Sequence, residues 1–246
     1  MPAGVAPRVL ILGGTTEGRL LAGALDGWSV ISSLAGRTSR PLLPPGEVRV
    51  GGFGGADGLA AYLRERRVDA LVDATHPFAA TMTAHAVAAA AATGVPLLVL
   101  RRPGWVEGPG DDWRRVPDLG EAAARLPRLG DRVFLTTGRQ GIAAFAAVDD
   151  CWFLARSVEP PAPPVPKRLR IVLDRGPFTV EGELRLIREH EVNVLVTKDS
   201  GGPAGKLVAA RAQGIPVLMI DRPPAPEAPT VGGVDQAVAW LKVAAR

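Results

Sequence analysis

One cysteine, one tyrosine and three histidines are all that 246 residues contain of those types. The lone Cys151 excludes an internal disulfide and a cysteine-based zinc site, and it suits a reducing compartment. His76, His85 and His190 lack metal-ligand spacing, so no metal site is expected. Tyr62 is followed four places later by Arg66, which removes the Tyr-x3-Lys pair that a short-chain dehydrogenase needs. No Gly-x-Ser-x-Gly elbow occurs. The stretch from Gly201 to Lys206 is one residue short of a P-loop, and Leu207 stands where a hydroxyl residue belongs. Long apolar runs are missing too: residues 84–100 are alanine-rich and broken by Gly94 and Pro96, so no membrane span is expected. The opening residues show no basic region followed by an apolar core, hence no secretory leader and an expected cytoplasmic location. Basic doublets (Arg66-Arg67, Arg101-Arg102, Arg114-Arg115) are scattered without interleaved aromatics, so nucleic acid is not an expected partner. A net charge of +4 with many arginines suits a small polyanion, although solvation alone would also explain it.

What the chain does have is a strand–glycine–helix opening. Residues 9–12 form an uninterrupted apolar run, the pattern of a parallel strand buried on both faces. Gly13 and Gly14 stop it, Thr15, Thr16 and Glu17 supply a cap and an acidic first turn, and Leu20, Leu21, Ala24 and Leu25 recur at helical spacing. Such a turn aims backbone N–H groups and a helix dipole at one point, a natural anion site. A dinucleotide fingerprint would place glycines at 13, 15 and 18; here they are at 13, 14 and 18, with Thr15 in the second place. A tight turn that binds nothing is the alternative. Past the second strand, residues 28–33, there is no acidic residue between Asp26 and Glu47 to accept from a ribose 2′-hydroxyl. Ser32, Ser33, Arg37 and Arg40 stand there instead. Hydroxyls and guanidinium groups favour the 2′-phosphate of NADPH over NADH, against the alternative of a solvated arginine loop.

The alternation continues. A third strand, 47–50, runs into Gly51-Gly52-Phe53-Gly54-Gly55, and a helix follows over 56–67. A fourth strand, 70–72, delivers Asp73-Ala74-Thr75-His76-Pro77-Phe78 at its carboxyl end, where open α/β sheets bind ligands. A helix over 78–93 and a strand over 95–100 come next. Residues 101–112, aperiodic and rich in proline and glycine, read as a linker. Strand and helix patterns then restart, with a second strand–glycine–helix turn at Thr136-Thr137-Gly138-Arg139 and a later strand, 192–196, delivering Thr197-Lys198-Asp199-Ser200-Gly201-Gly202. The expected fold is α/β: two Rossmann-like domains, 1–104 and 105–246, with mainly parallel sheets whose facing carboxyl edges form an interdomain cleft. A single larger sheet is the alternative.

Six stretches now stand in order: Leu12-Gly13-Gly14-Thr15-Thr16-Glu17-Gly18-Arg19, Ser33-Leu34-Ala35-Gly36-Arg37, Gly51 to Gly55, Asp73 to Ala79, Thr136 to Arg139 and Thr197 to Gly202. Together they resemble the precorrin-6A reductases, NADPH-dependent enzymes of cobalamin biosynthesis. The resemblance implies reduction of one ring double bond of a metal-free tetrapyrrole, precorrin-6A, giving precorrin-6B, with hydride from NADPH. Thr15 belongs to that family's pattern. The resemblance implies a cofactor set of Gly13, Gly14, Thr15, Thr16 and Glu17 at the pyrophosphate, Ser33, Gly36 and Arg37 at the 2′-phosphate, Gly52, Phe53 and Gly54 at the adenosine, and Thr75 nearby. His76 would lie near the nicotinamide. Thr137, Gly138, Arg139, Lys198, Ser200 and Gly201 would face the polycarboxylate macrocycle, and Lys198, Asp199 and His76 are the candidates for catalysis. A reductase of the related cobalt-containing tetrapyrrole and a non-catalytic nucleotide-sensing module are the rival readings.

Overall fold

The computed structural model describes residues 6–36 and 42–244. It separates into two compact units: Met1–Pro103 with Pro223–Arg246, and Gly104–Arg222. Every strand pairing in both is parallel, as the unbroken apolar runs require.

In the first unit, strands β1 (Arg8–Leu12), β2 (Ser29–Leu34), β3 (Glu47–Val50), β4 (Ala70–Asp73), β5 (Leu97–Leu100) and the short β12 (Thr230–Val231) form one sheet in the order β12-β5-β4-β1-β2-β3. Side chains alternate between two cores. Val9, Ile11, Val72 and Leu98 pack with Leu21 of helix α1 (Thr16–Ala24) and Leu241 of α7 (Val234–Ala244). Leu10, Leu12 and Leu71 pack on the other face with Leu59 and Leu63 of α2 (Ala56–Glu65) and Ala86 and Ala89 of α3 (Ala80–Thr93). Alanines on α3 bring that helix close to the sheet, and Gly94, left-handed at φ +72°, ends it.

The second unit repeats the plan. Strands β6 (Trp113–Val116), β7 (Arg132–Leu135), β8 (Trp152–Ser157), β9 (Leu169–Leu173), β10 (Val194–Lys198) and β11 (Val217–Ile220) lie in the order β6-β11-β10-β7-β8-β9. Helix α4 (Leu119–Arg125) follows β6, while α5 (Val180–Glu189) and α6 (Gly205–Gln213) cover Phe134, Leu154, Leu195 and Met219.

Three features differ from the sequence reading. Residues 223–246 pack with the first unit, because β12 pairs with β5 and the apolar face of α7 completes the core against α1. The turn after β7 leads into a 3-10 stretch, Arg139–Phe145, and not an α-helix. Helix α3 starts at Ala80, leaving residues 74–79 as an irregular segment after β4. Among the described residues no helix is long and apolar enough to cross a membrane.

Candidate functional site

Sheet order decides which strand ends meet. In the first unit β2 and β3 are added on one side of β1 and β4 and β5 on the other, so the order of the parallel strands reverses between β1 and β4. Ligands of open parallel sheets bind at the carboxyl ends beside such a reversal. The turn Gly13–Glu17 leaves β1 there and the segment Asp73–His76 leaves β4 there. The two are tied together: Thr15 Oγ1 donates to the Ala74 carbonyl at 2.7 Å and accepts from Gly18 N at 3.1 Å, capping α1. Gly18 fits under this tie because a Cβ on it would meet Ala74 Cβ at 3.1 Å. Gly14 adopts φ +117° with open space around it, and Gly13 N donates to the Ser33 carbonyl at 2.9 Å. Thr16 is exposed at the helix start. Thr15 therefore builds the turn with its side chain, while backbone N–H groups remain to meet an anion.

Glu17, one residue further, is held by Arg102, whose Nη1 reaches its two carboxylate oxygens at 3.0 and 3.3 Å. Sequence spacing could not reveal this pair, because its partners are 85 residues apart. The pairing offsets an acidic charge that would otherwise oppose an anion at α1. Beyond β4, buried Asp73 accepts from Thr75 N at 3.0 Å, Thr75 Oγ1 at 2.7 Å and Thr83 Oγ1 at 2.6 Å, so the Thr75 hydroxyl is spent on shaping the segment. His76 is exposed, and its Nδ1 accepts from Phe78 N at 3.3 Å. A groove of about 410 Å³ opens beside it, bounded by Thr75, Arg101, Ala84, Val87 and Pro224. Arg101 is braced there by donation to the Pro223 carbonyl at 2.8 Å and the Pro224 carbonyl at 3.3 Å.

At the other end of the same edge lie Ser33, Gly36 and the glycine turn after β3. Ser33 is buried and Gly36 adopts φ +71°. Arg37 lies outside the described residues. Gly52 and Gly54 are exposed, and Phe53 packs edge-on to Tyr62 with ring centroids 5.2 Å apart. The sequence reading passes over Arg49, whose guanidinium lies 3.9 Å from the Phe53 ring centroid. Its only sequence signal is a charged residue within a short strand beside a glycine run.

In the second unit the strand order reverses between β7 and β10, and the remaining two sequence motifs leave those two strands. Thr136 N donates to the Val196 carbonyl at 2.9 Å. Thr137 is buried, and its Oγ1 finds no hydrogen-bond partner among the described residues. Gly138 takes φ +79°, and Arg139 pairs with Glu159 at 2.6 Å. Lys198 closes β10 half-buried, and burial lowers its pKa below the usual lysine range. Ser200 N donates to the Lys198 carbonyl at 2.7 Å, and Gly201 continues the turn at φ +67°. The carboxylate of Asp199 is largely spoken for: it accepts from Trp105 N at 3.0 Å and Arg115 Nη1 at 3.4 Å, and Arg222 lies 3.6 Å away. Cys151 is buried with its thiol pKa pushed up, chiefly by burial, so it is not an activated nucleophile. Among the described residues no cluster of three or more His, Cys, Asp or Glu is placed to hold a metal.

Residues 8–242 match the family model described as precorrin-6x reductase CbiJ/CobK. The precorrin-6A reductase of Rhodococcus erythropolis is 56% identical over 240 residues, covering 95% of this chain and 97% of that protein. The cobalt-precorrin-6A reductase of Priestia megaterium is 30% identical over 232 residues, covering 87% and 90%. A solved structure titled CobK precorrin-6A reductase superposes with a TM-score of 0.91 at 44% identity, covering 97% of each chain. Sheet order, the two groups of strand-end motifs and these near-full-length matches agree, and the chain belongs to the precorrin-6x reductase CbiJ/CobK family.

Proposed function

We propose that this protein reduces one ring double bond of precorrin-6A, using NADPH. The observation that carries the reading is the 56% identity to a precorrin-6A reductase along nearly the whole of both chains. The relatives named for the cobalt-containing substrate stand at 30% identity or less, which favours the metal-free one. Family membership in the reductases weighs against a module that only senses nucleotide.

The first unit's residues fit a dinucleotide. Gly14 leaves room for a phosphate at the start of α1, and the N–H groups of the first turn, with exposed Thr16, are the donors for it. Gly13 and Thr15 set that turn, and Glu17 positions Arg102. Ser33 and Gly36, with Arg37 after them in sequence, serve the 2′-phosphate, and Gly52, Phe53 and Gly54 the adenosine. Thr75 and His76 belong to the nicotinamide end, beside the groove. NADPH supplies hydride when bound; no other step depends on it.

In the second unit, Lys198 and Arg139 are cations for substrate carboxylates, with Thr137, Gly138, Ser200 and Gly201 shaping their turns. Lys198 works best here as a carboxylate partner, because that role needs no retuned pKa. Its lowered pKa also makes it a better acid than a solvated lysine, which keeps proton donation as its second role. Asp199 takes a positioning role, since Trp105, Arg115 and Arg222 already engage its carboxylate.

Anaerobic incubation with metal-free precorrin-6A and NADPH tests the reading. NADPH oxidation together with a product two hydrogens heavier is expected, with slower or no turnover of the cobalt-containing substrate. Binding of NADPH without any oxidation would favour the sensing module, and preference for the cobalt substrate would favour the other reductase.

A further inference from the structure

We propose that Arg49 is a second cation for the 2′-phosphate of NADPH, and that it also clamps the glycine turn beside that phosphate; the proposal rests on the NADPH reading above. Arg49 stands opposite Ser33 in the β2–β3 register, one residue from the carboxyl end of β3. In nucleotide-binding α/β sheets, the ribose of the adenosine is read at the carboxyl end of the second strand. Arg49 Nη1 donates to the Gly51 carbonyl at 2.5 Å and Nη2 to the Gly52 carbonyl at 2.6 Å. Nη1 also lies 3.5 Å from Ser33 Oγ. The guanidinium sits 3.9 Å from the centroid of the Phe53 ring, and the Tyr62 ring is 5.3 Å away.

Two carbonyls and an aromatic face thus hold the guanidinium in one place without cancelling its charge. Other arginines of the unit are used differently: Arg66 is paired with Glu47 and Arg102 with Glu17. Arg49 has no carboxylate partner among the described residues, and its Nε–H is not engaged there. A fixed, unneutralised guanidinium with donors to spare, next to a serine and on an edge with no acidic residue between Asp26 and Glu47, matches a phosphate monoester. An unphosphorylated ribose would gain little from it.

The test is calorimetric titration of NADPH, NADH, adenosine 2′,5′-bisphosphate and adenosine 5′-phosphate into the wild type, Arg49→Gln and Arg49→Lys. Glutamine keeps amide donors for the turn carbonyls and removes the charge, whereas lysine keeps the charge and loses the fork. For Arg49→Gln, the two 2′-phosphorylated ligands should lose about tenfold to a hundredfold in affinity and the other two less than about threefold. Arg49→Lys should retain most of the preference for the 2′-phosphate. Equal losses for all four ligands would make Arg49 a brace of the turn alone and overturn the proposal, as would no loss at all. A wild-type preference for NADPH that survives Arg49→Gln overturns this proposal only; absence of that preference in the wild type removes the NADPH reading and this proposal with it.

Discussion

Lys198 shows how one residue's surroundings set its use. Its place at the end of β10 is partly dry, and desolvation lowers its pKa relative to an unfolded chain. Between the lowered value and the ordinary lysine value, the unfolded chain binds more protons, so this group's contribution to stability rises with pH across that window. Binding of a substrate carboxylate has the opposite sign, since it needs the ammonium and weakens over the same window. KM is therefore expected to climb on the alkaline side earlier than a solvated lysine would allow, and Lys198→Arg should remove that early limb. Lys198→Met should raise KM about tenfold with kcat nearly constant; a drop in kcat at constant KM would move Lys198 to proton transfer. At the other unit, Arg37→Ala is expected to cost about 1.5–3 kcal/mol of NADPH binding and to leave NADH nearly unchanged, as read by titration. Equal losses for both would make Arg37 structural. The glycines and strand-end motifs were legible because each interrupts an apolar run. The side-chain directions were not. Thr15 reads as a phosphate contact in sequence, yet its hydroxyl is bonded to Ala74 and Gly18, and the Glu17–Arg102 and Arg49–Phe53 contacts depend on strands brought together only by folding.

At the scale of the element, the turns after β1 and β7 each rely on a small residue under a tight contact. Gly18→Ala would push a methyl to 3.1 Å from Ala74 Cβ, and Gly141→Ala would place one 2.6 Å from Thr137 Oγ1. Both are expected to destabilise by about 1–3 kcal/mol, with Gly141→Ala the worse, measured by urea unfolding. Thr15→Val should cost about 1–2 kcal/mol, because it removes the cap of α1 and the donor to Ala74 together. Helix α5 carries a different constraint. Its Glu183 meets Arg156 of β8 at 2.8 Å, with side chains 1% and 6% exposed, and Arg156 lies 3.4 Å from the Phe178 ring centroid. Glu183→Ala would strand a buried guanidinium and should cost about 3–5 kcal/mol. A variant of unchanged stability would show the pair to be dispensable. All strands but the two-residue β12, and most helices, were readable from periodicity; α6 was not, because a glycine opens it and its apolar face is short. The 3-10 stretch after Gly138 was misread as an α-helix since its composition, rich in alanine, suits either form.

For the whole molecule, the chain leaves its first unit after Pro103 and returns to it at Pro223. The return is not legible in strand–helix alternation, because β12 is only two residues long and nothing in residues 223–246 names the sheet it joins. Leu241 of α7 is fully buried with Val9, Ile11 and Leu98, so Leu241→Ala should cost about 2–5 kcal/mol. Hydrogen exchange should then rise in β1 and β5 and stay unchanged in the strands of Gly104–Arg222. Increased exchange confined to the second unit would return residues 223–246 to it. Each of the two parallel sheets carries a glycine turn at the carboxyl ends beside its reversal of strand order, after β1 in one unit and after β7 and β10 in the other. The central claim is that hydride passes from NADPH to the macrocycle on this protein. The most direct measurement is single-turnover reaction of precorrin-6A with NADPH deuterated at the transferable nicotinamide position, followed by mass analysis of the tetrapyrrole. One deuterium retained in the reduced macrocycle is the expected result; a reduced product free of deuterium with either face of the nicotinamide labelled, or no reduced product, would contradict it.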